Sequence, residues 1–155
     1  MELSIGPLFL SDLDAVVTLS RQLGYEVFSG EVRARLARVL EKPDHFLIGI
    51  RSQSGHLIAY AHALREPTSL LAPERAELHT LVVEANFRDQ GIGGRLLGAA
   101  EDWARSQGLS RMRLRSNMKR EAAHRFYFRE GYAIEKTSHV FTQDLTPSRG
   151  LSVRD

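Results

Sequence analysis

An apolar, strand-like run, Leu81-Val82-Val83, leads to Arg88-Asp89-Gln90-Gly91-Ile92-Gly93-Gly94, and a helix-like run from Arg95 to Ser106 follows at once. Backbone N–H groups at a helix start have no partner within the helix, point outward and sit at the positive end of the helix dipole. Glycines let that backbone approach a bound group with no Cβ in the way. Arg88 adds a permanent positive charge. The stretch therefore predicts a strand, a turn that cradles a diphosphate, and a helix. Which diphosphate it suits depends on spacing.

Three phosphate-binding turns compete. A P-loop requires G-x-x-x-x-G-K-[ST], and no glycine of this chain precedes Lys-Ser or Lys-Thr. The dinucleotide fingerprint requires G-x-G-x-x-G; Gly91 and Gly93 begin it, but Leu96 stands at the third glycine. The third pattern, [Q/R]-x-x-G-x-[G/A], is met by Arg88-x-x-Gly91-x-Gly93.

The surrounding pattern predicts a mixed α/β domain. Residues 2–6 alternate weakly and are expected to form a first strand. Ser11-Asp12-Leu13-Asp14 reads as a capping-box variant opening a helix that carries Leu13, Val16, Val17 and Leu23, with Gly24 as its stop. Ser29 is expected to cap a second helix with Val32, Leu36, Val39 and Leu40 on one face. His45 to Ser52 and Leu57 to Arg65 flank the turn residues Gln53-Ser54-Gly55-His56, which predicts a hairpin. A strand over 74–84, the glycine turn and a helix ending at Gly108 come next. Met112 and Leu114 alternate with Arg111, Arg113 and Arg115, the pattern of a half-buried strand with a solvated arginine face. A helix over 119–130 and a last strand over 132–145 complete the order β-α-α-β-β-β-α-β-α-β. The expected sheet is mixed and mostly antiparallel, flanked by helices. The chain has 155 residues, so a single domain over 1–146 is expected, with a flexible polar tail over 147–155.

Composition removes several function classes. With no cysteine there is no disulfide framework, thiolate metal site or cysteine nucleophile, and no metal is expected. The formal net charge is only +2, and the arginines are spread along the chain among acids, so nucleic acid is not expected as a partner. The N-terminus lacks a basic and apolar leader, and no run approaches ~20 apolar residues. A cytoplasmic location away from membranes is the expectation.

Glu77-Leu-His-Thr-Leu-Val-Val-Glu-Ala-Asn-Phe-Arg-Asp-Gln-Gly-Ile-Gly-Gly-Arg-Leu-Leu resembles the core of the GNAT superfamily of acetyl-coenzyme A-dependent N-acetyltransferases. Ser116-Asn117 with Arg120, Ala123-His-Arg-Phe-Tyr127 and Gly131-Tyr132 extend the resemblance, as does the order of elements. The resemblance implies acetyl-CoA as co-substrate. It implies that the segment Arg88, Asp89, Gln90, Gly91, Ile92, Gly93, Gly94 and Arg95 holds the pyrophosphate. It also implies that the backbone of Leu81, Val82 and Val83 pairs with the pantetheine arm like an added strand. That strand is then expected to splay from the one at 112–116, leaving a cleft for the thioester. Asn117 stands where the family commonly has a polar contact to pantetheine. Many relatives carry Asn seven residues before the family tyrosine; here the position is Arg120, which can reach a coenzyme A phosphate.

Acetyl transfer to an amine needs a free lone pair, a stabilised oxyanion and a protonated leaving thiolate. An alkyl amine of pKa about 10 is roughly 99.9% protonated at pH 7, which withholds the nucleophile by ~4 kcal/mol. A base must remove that proton. Glu77 and His79 lie two apart on one strand and share a face; Leu81 and Val83 share it too if the strand is regular, and a bulge would change that. The resemblance favours Glu77 as the base, directly or through water, with His79 as a second base or substrate contact. A backbone N–H near Leu81 can hold the oxyanion. Tyr127 matches the family tyrosine in Phe126-Tyr127-x-x-x-Gly131-Tyr132. Its phenol, protonated at pH 7, can donate to the departing thiolate, a transfer uphill by about 2 kcal/mol.

The acceptor pocket implied by the resemblance comprises Tyr25, Glu26 and Phe28 between the first two helices, Arg65 and its loop, and His79. Glu26 suits a cationic amine and Arg65 an anionic group. The run from Ser116 to Tyr127 also resembles aminoalkylphosphonate N-acetyltransferases, though other small-amine acetyltransferases share much of it. The expected reaction is transfer to a primary amine of a small molecule by direct attack in a ternary complex. A peptide or protein acetyltransferase and a non-catalytic acyl-CoA-binding module remain as alternatives. Edge strands in this architecture often pair, which leaves a homodimer open.

Overall fold

The computed structural model describes residues 2–146; the expected tail over 147–155 lies outside them. The described chain forms two compact units, divided between Lys119 and Arg120.

The first unit is a five-stranded sheet with three helices. Its elements are β1 (Ser4–Pro7), α1 (Leu13–Gln22), α2 (Ser29–Leu40), β2 (His45–Arg51), β3 (Leu57–Arg65), β4 (Ala76–Val83), α3 (Ile92–Ser106) and β5 (Met112–Leu114). The strands lie in chain order, β1-β2-β3-β4-β5. All pairings are antiparallel except β4 with β5, which run parallel after the α3 crossover. This is the mixed, mostly antiparallel sheet expected. No helix among the described residues is long and apolar enough to cross a membrane.

The two faces of the sheet are packed differently. On one, Tyr60 and Val82 join Leu8, Val16, Leu19 and Leu57 in a buried cluster under α1. On the other, Ala59, Ala61 and Ala63 of β3 are fully buried. Their small side chains let α3 lie close, with Leu96, Leu97 and Ala100 inward and Trp103 stacked on Phe46 at 5.3 Å between ring centroids. Burying apolar faces against a sheet supplies most of the stability of such amphipathic helices.

Both helix starts differ from expectation. Asp12 is the residue that caps α1, yet its carboxylate turns back, accepting from the Phe9 N–H at 2.8 Å and pairing with Arg51 at 2.6 and 2.7 Å. The distant arginine on β2 outbids the local cap. Ser29 is the first residue within α2, and extended Phe28 holds the cap position with no side-chain bond.

The register of β4 carries a bulge. Thr80 pairs with His62 and Leu78 with Ala63, so His79 is an extra residue. Beyond it the side-chain alternation inverts: Glu77 shares its face with Thr80 and Val82, while Leu81 and Val83 turn to the α3 side. β5 pairs only with Ala76–Leu78, so β4 has no strand partner on that side from His79 onward. The two strands therefore part at the bulge.

The second unit holds α4 (Glu121–Arg129). The strand expected over 132–145 is not formed. Ile134, Val140, Phe141 and Leu145 are all exposed. A strand exists only in a ladder with a partner, and local alternation of apolar residues cannot supply one.

Candidate active site

Gly91 caps α3 with φ +79°, a left-handed conformation that suits glycine, and Asp89 two residues earlier has φ +62°. These two residues set the backbone path by which the chain enters α3. The first helical bond is donated by the Arg95 N–H to the Gly91 carbonyl at 3.2 Å, leaving the preceding N–H groups without helical partners. A Cβ built on Gly91 would meet no atom within 4 Å, so the space before the turn is open. Arg88, Asp89, Gln90 and Arg95 are exposed around it, while Ile92 anchors the helix start in the core. The Arg88 Nε donates to the Val83 carbonyl at 3.1 Å, tying the turn to the end of β4. The arrangement fits a diphosphate.

At the other end of β4, Glu77 is 8% exposed and sits where β4 and β5 are still paired. Its partner across the parallel pair is Arg113, whose Nη2 donates to Glu77 at 3.2 Å and also binds Glu66 closely. The Arg75 Nε donates to Glu66 at 2.6 Å, and the Arg115 Nε lies 4.0 Å from Glu77. Burial and the neighbouring Glu66 carboxylate raise the Glu77 carboxyl above the usual range, against the pull of Arg113 and Arg115. Burial also pushes Glu66 up, but Glu77, Arg75 and Arg113 outweigh it and hold Glu66 low. Of the two acids, Glu77 is the one that takes up a proton more readily. Arg113 is thus no part of a solvated strand face: its side chain is 17% exposed and is committed to two carboxylates.

His79, at the bulge, is nearly half exposed and brings its Nε2 to 3.8 Å from Glu77. Its ring meets His62 edge-on, with centroids 5.4 Å apart. His62 in turn stacks on His45, and the His45 Nδ1 and His62 Nε2 are hydrogen-bonded at 2.9 Å. The structure therefore lines up three imidazoles across β2, β3 and β4 and ends the row at Glu77. Burial, with His79 and His45 nearby, lowers His62 to about 4. Burial, then Lys42 and His79, lowers His45. Neither His45 nor His62 stands out in the sequence. The hairpin register was the available signal: Leu47 pairs with His62 and His45 with Leu64, which puts both histidines on one face.

The remaining expected site residues divide. Tyr25 and Phe28 are each 63% exposed, and Glu26 is exposed beside them. Arg65 is engaged: it donates to Glu74 at 2.6 Å and to the Gln107 carbonyl at 2.9 Å. Asn117 is exposed, and its Oδ1 accepts from the Lys119 N–H at 2.9 Å. In the second unit, Arg120 opens α4, and Tyr127 lies between the rings of Phe126 and Tyr132 at 5.1 and 5.9 Å. Burial raises the Tyr127 phenol, and Arg120 partly offsets this.

Residues 13–132 match the acetyltransferase (GNAT) family. The chain belongs to the GNAT family. It is an acetyl-CoA-dependent N-acetyltransferase. Among its GNAT relatives, the aminoalkylphosphonate N-acetyltransferase of Salmonella typhimurium is 35% identical over 128 residues, 82% of this chain and 78% of that protein. The N-acetyltransferase YhdJ of Bacillus subtilis is 34% identical over 112 residues, 72% and 76% of the two chains. The fold is also that of the aminoglycoside 6'-N-acetyltransferase AAC(6')-Ih of Acinetobacter baumannii, with a TM-score of 0.82 at 15% identity over 94% of this chain and all of that one. In this GNAT chain β4 has no β5 partner over the five residues from His79 to Val83, and the open turn at Gly91 follows beyond the end of that strand.

Proposed function

We propose that this GNAT enzyme transfers the acetyl group of acetyl-CoA to a primary amine of a small molecule, by direct attack of the amine in a ternary complex. The observation that carries the reading is the buried Glu77 carboxyl, held above the usual carboxylate range by burial and by Glu66, beside the point where β4 loses its β5 partner. A base there suits an amine held beside a thioester that lies along the unpaired edge.

In this reading the N–H groups of the turn from Arg88 to Arg95 hold the pyrophosphate, as the open space and free helix start support. The backbone of Leu81, Val82 and Val83 takes the pantetheine as an added strand. Asn117 and Arg120 add polar contacts to the coenzyme. Glu77 removes the proton from the ammonium group, directly or through water, with His79 beside it. The freed nitrogen forms its bond to the acetyl carbon as the C–S bond breaks. A backbone N–H near Leu81 steadies the oxyanion. Tyr127 donates its phenolic proton to the departing thiolate. Its raised pKa makes that transfer somewhat more uphill than for a free phenol, still within reach of a positioned acid.

Tyr25, Glu26 and Phe28 are proposed to contact the acceptor, together with His79. Arg65 enters the proposal as a brace for its loop, because Glu74 and Gln107 already occupy its guanidinium. The Salmonella relative's name puts aminoalkylphosphonates first among acceptors to try.

A thiol-release assay with acetyl-CoA across aminoalkylphosphonates, amino acids, polyamines, aminosugars and short peptides tests this. Release with a small amine is the expected result. Preference for peptides would move the acceptor to a protein, and a thermal shift from acetyl-CoA with no release would leave a binding module.

A further inference from the structure

The row His79–His62–His45 has two unlike ends. Its inner end is the Glu77 corner, where His79 approaches Glu77. Its outer end is a cleft of about 350 Å³ lined by Lys42, Asp44, His45, Arg65 and Glu66 among others. His79 is nearly half exposed and His45 half-buried, while His62 between them is held neutral by burial. A partly buried imidazole whose hydrogen bond goes to another imidazole is costly as a structural element, since leucine would fill the same space without a polar group to satisfy. Imidazole is, however, the one side chain that accepts a proton on one nitrogen while releasing one from the other.

We propose that His79, His62 and His45 form a proton outlet that carries the proton lost by the acceptor amine from Glu77 to the Lys42–Glu66 cleft. This rests on the amine-acetylating reading above. The ammonium N–H bond breaks and a Glu77 O–H bond forms. Glu77 passes the proton to the His79 Nε2. His79 passes one to His62, where a rotation of the exposed His79 ring or one bridging water closes the edge-on gap. The His62 Nε2 then passes a proton to the His45 Nδ1 along their 2.9 Å bond, and His45 releases one to water in the cleft. One proton enters and one leaves, with no change in electron count. The relay resets as the tautomers revert.

The surrounding charges are arranged for single-proton traffic. Lys42 and Asp44 flank His45, lowering and raising its proton affinity respectively. Each neighbouring imidazole disfavours a charge on His62, so a proton is not retained midway. Arg113, Arg115 and Glu66 surround the Glu77 end.

The test compares His62→Gln and His45→Gln with the unmodified enzyme, using the best acceptor amine from the panel, from pH 7 to about 10. Glutamine preserves hydrogen bonding but cannot relay a proton. The expected result is a kcat at pH 7 lowered by about 10–100-fold in both variants, with the KM for acetyl-CoA unchanged. The deficit should shrink as the pH nears the amine's own pKa of about 10, where about half of the amine is already deprotonated. A purely structural loss would persist at every pH. Variants that match the unmodified enzyme at pH 7, or that are slowed equally across the range, overturn the relay. His45→Gln, at the half-buried end, decides alone if His62→Gln does not fold. If the unmodified enzyme releases no coenzyme A with any amine, the acetylation reading itself fails and the outlet falls with it. An active enzyme with pH-independent deficits removes the outlet alone.

Discussion

The glycine turn and the Glu77 corner stand at opposite ends of β4 and are built in opposite ways. The turn is backbone: two positive φ angles, an open space and a helix start, all within one short segment. The corner is side chain: Glu77 from β4, Arg113 and Arg115 from beyond it in sequence, Glu66 and Arg75 from the loop ends, and imidazoles from three strands. A local device binds whatever charge fits it and changes little when its neighbours change. An assembled device tunes proton affinity, because each charge shifts the others. If the proposed roles hold, binding at the turn and proton handling at the corner can be altered separately.

The largest effect should separate the two ends cleanly. Glu77→Gln keeps the shape but removes the proposed base, so kcat should fall by about 100- to 1,000-fold while the KM for acetyl-CoA holds. Steady-state kinetics check this; an equal rise in that KM would mean the corner and the turn are not separable. Tyr127→Phe asks whether the corner alone carries the proton traffic. A fall in kcat of about 10–100-fold is expected, and unchanged turnover would take Tyr127 out of the mechanism.

The third effect is on stability and belongs to the corner only. His62 has its pKa lowered from 6.5 to about 4 in the fold. A lowered base means that the unfolded chain binds protons more tightly, so stability is full above about pH 6.5 and is lost as the pH falls toward 4. Urea unfolding at pH 7 and pH 4.5 should show a loss of about 2 kcal/mol from this group, and His62→Gln should remove that part. Glu66 and Glu77 shift in opposite directions, so their contributions to the pH dependence oppose each other. The smallest effect belongs to the turn. Gly91→Ala forces a Cβ onto φ +79° at a cost of about 1 kcal/mol. It should weaken the thermal shift given by acetyl-CoA and leave kcat at saturation unchanged.

The turn, the order of elements up to α4 and the acetyltransferase fold were legible because each rests on residues close in sequence. The glycine spacing sets a backbone path, and apolar periodicity sets which face of each element is buried. Helix starts were less legible. Asp12 looks like a local cap, but a guanidinium from β2 is a stronger partner than a backbone N–H. The expected strand over 132–145 had the right alternation and no ladder to join. Arg113 looked solvent-facing for the same kind of reason: alternation gives a face, and only packing tells what that face meets.

The candidate site repeats this division. Glu77, His79 and Gly91 are visible in one strand-and-turn segment of the sequence. The parting of β4 from β5, the bulge that turns Leu81 and Val83 away from the Glu77 face, and the meeting of His45 with His62 are products of register. By itself the sequence determined the backbone that can hold a diphosphate and the chemical groups available beside it, since both follow from residue type and short spacing. Only the tertiary structure decided the charges those groups feel and the partners they keep. Electrostatic and hydrogen-bond partners are chosen by distance in space, and in a sheet that distance is set by which strands pair and in what register.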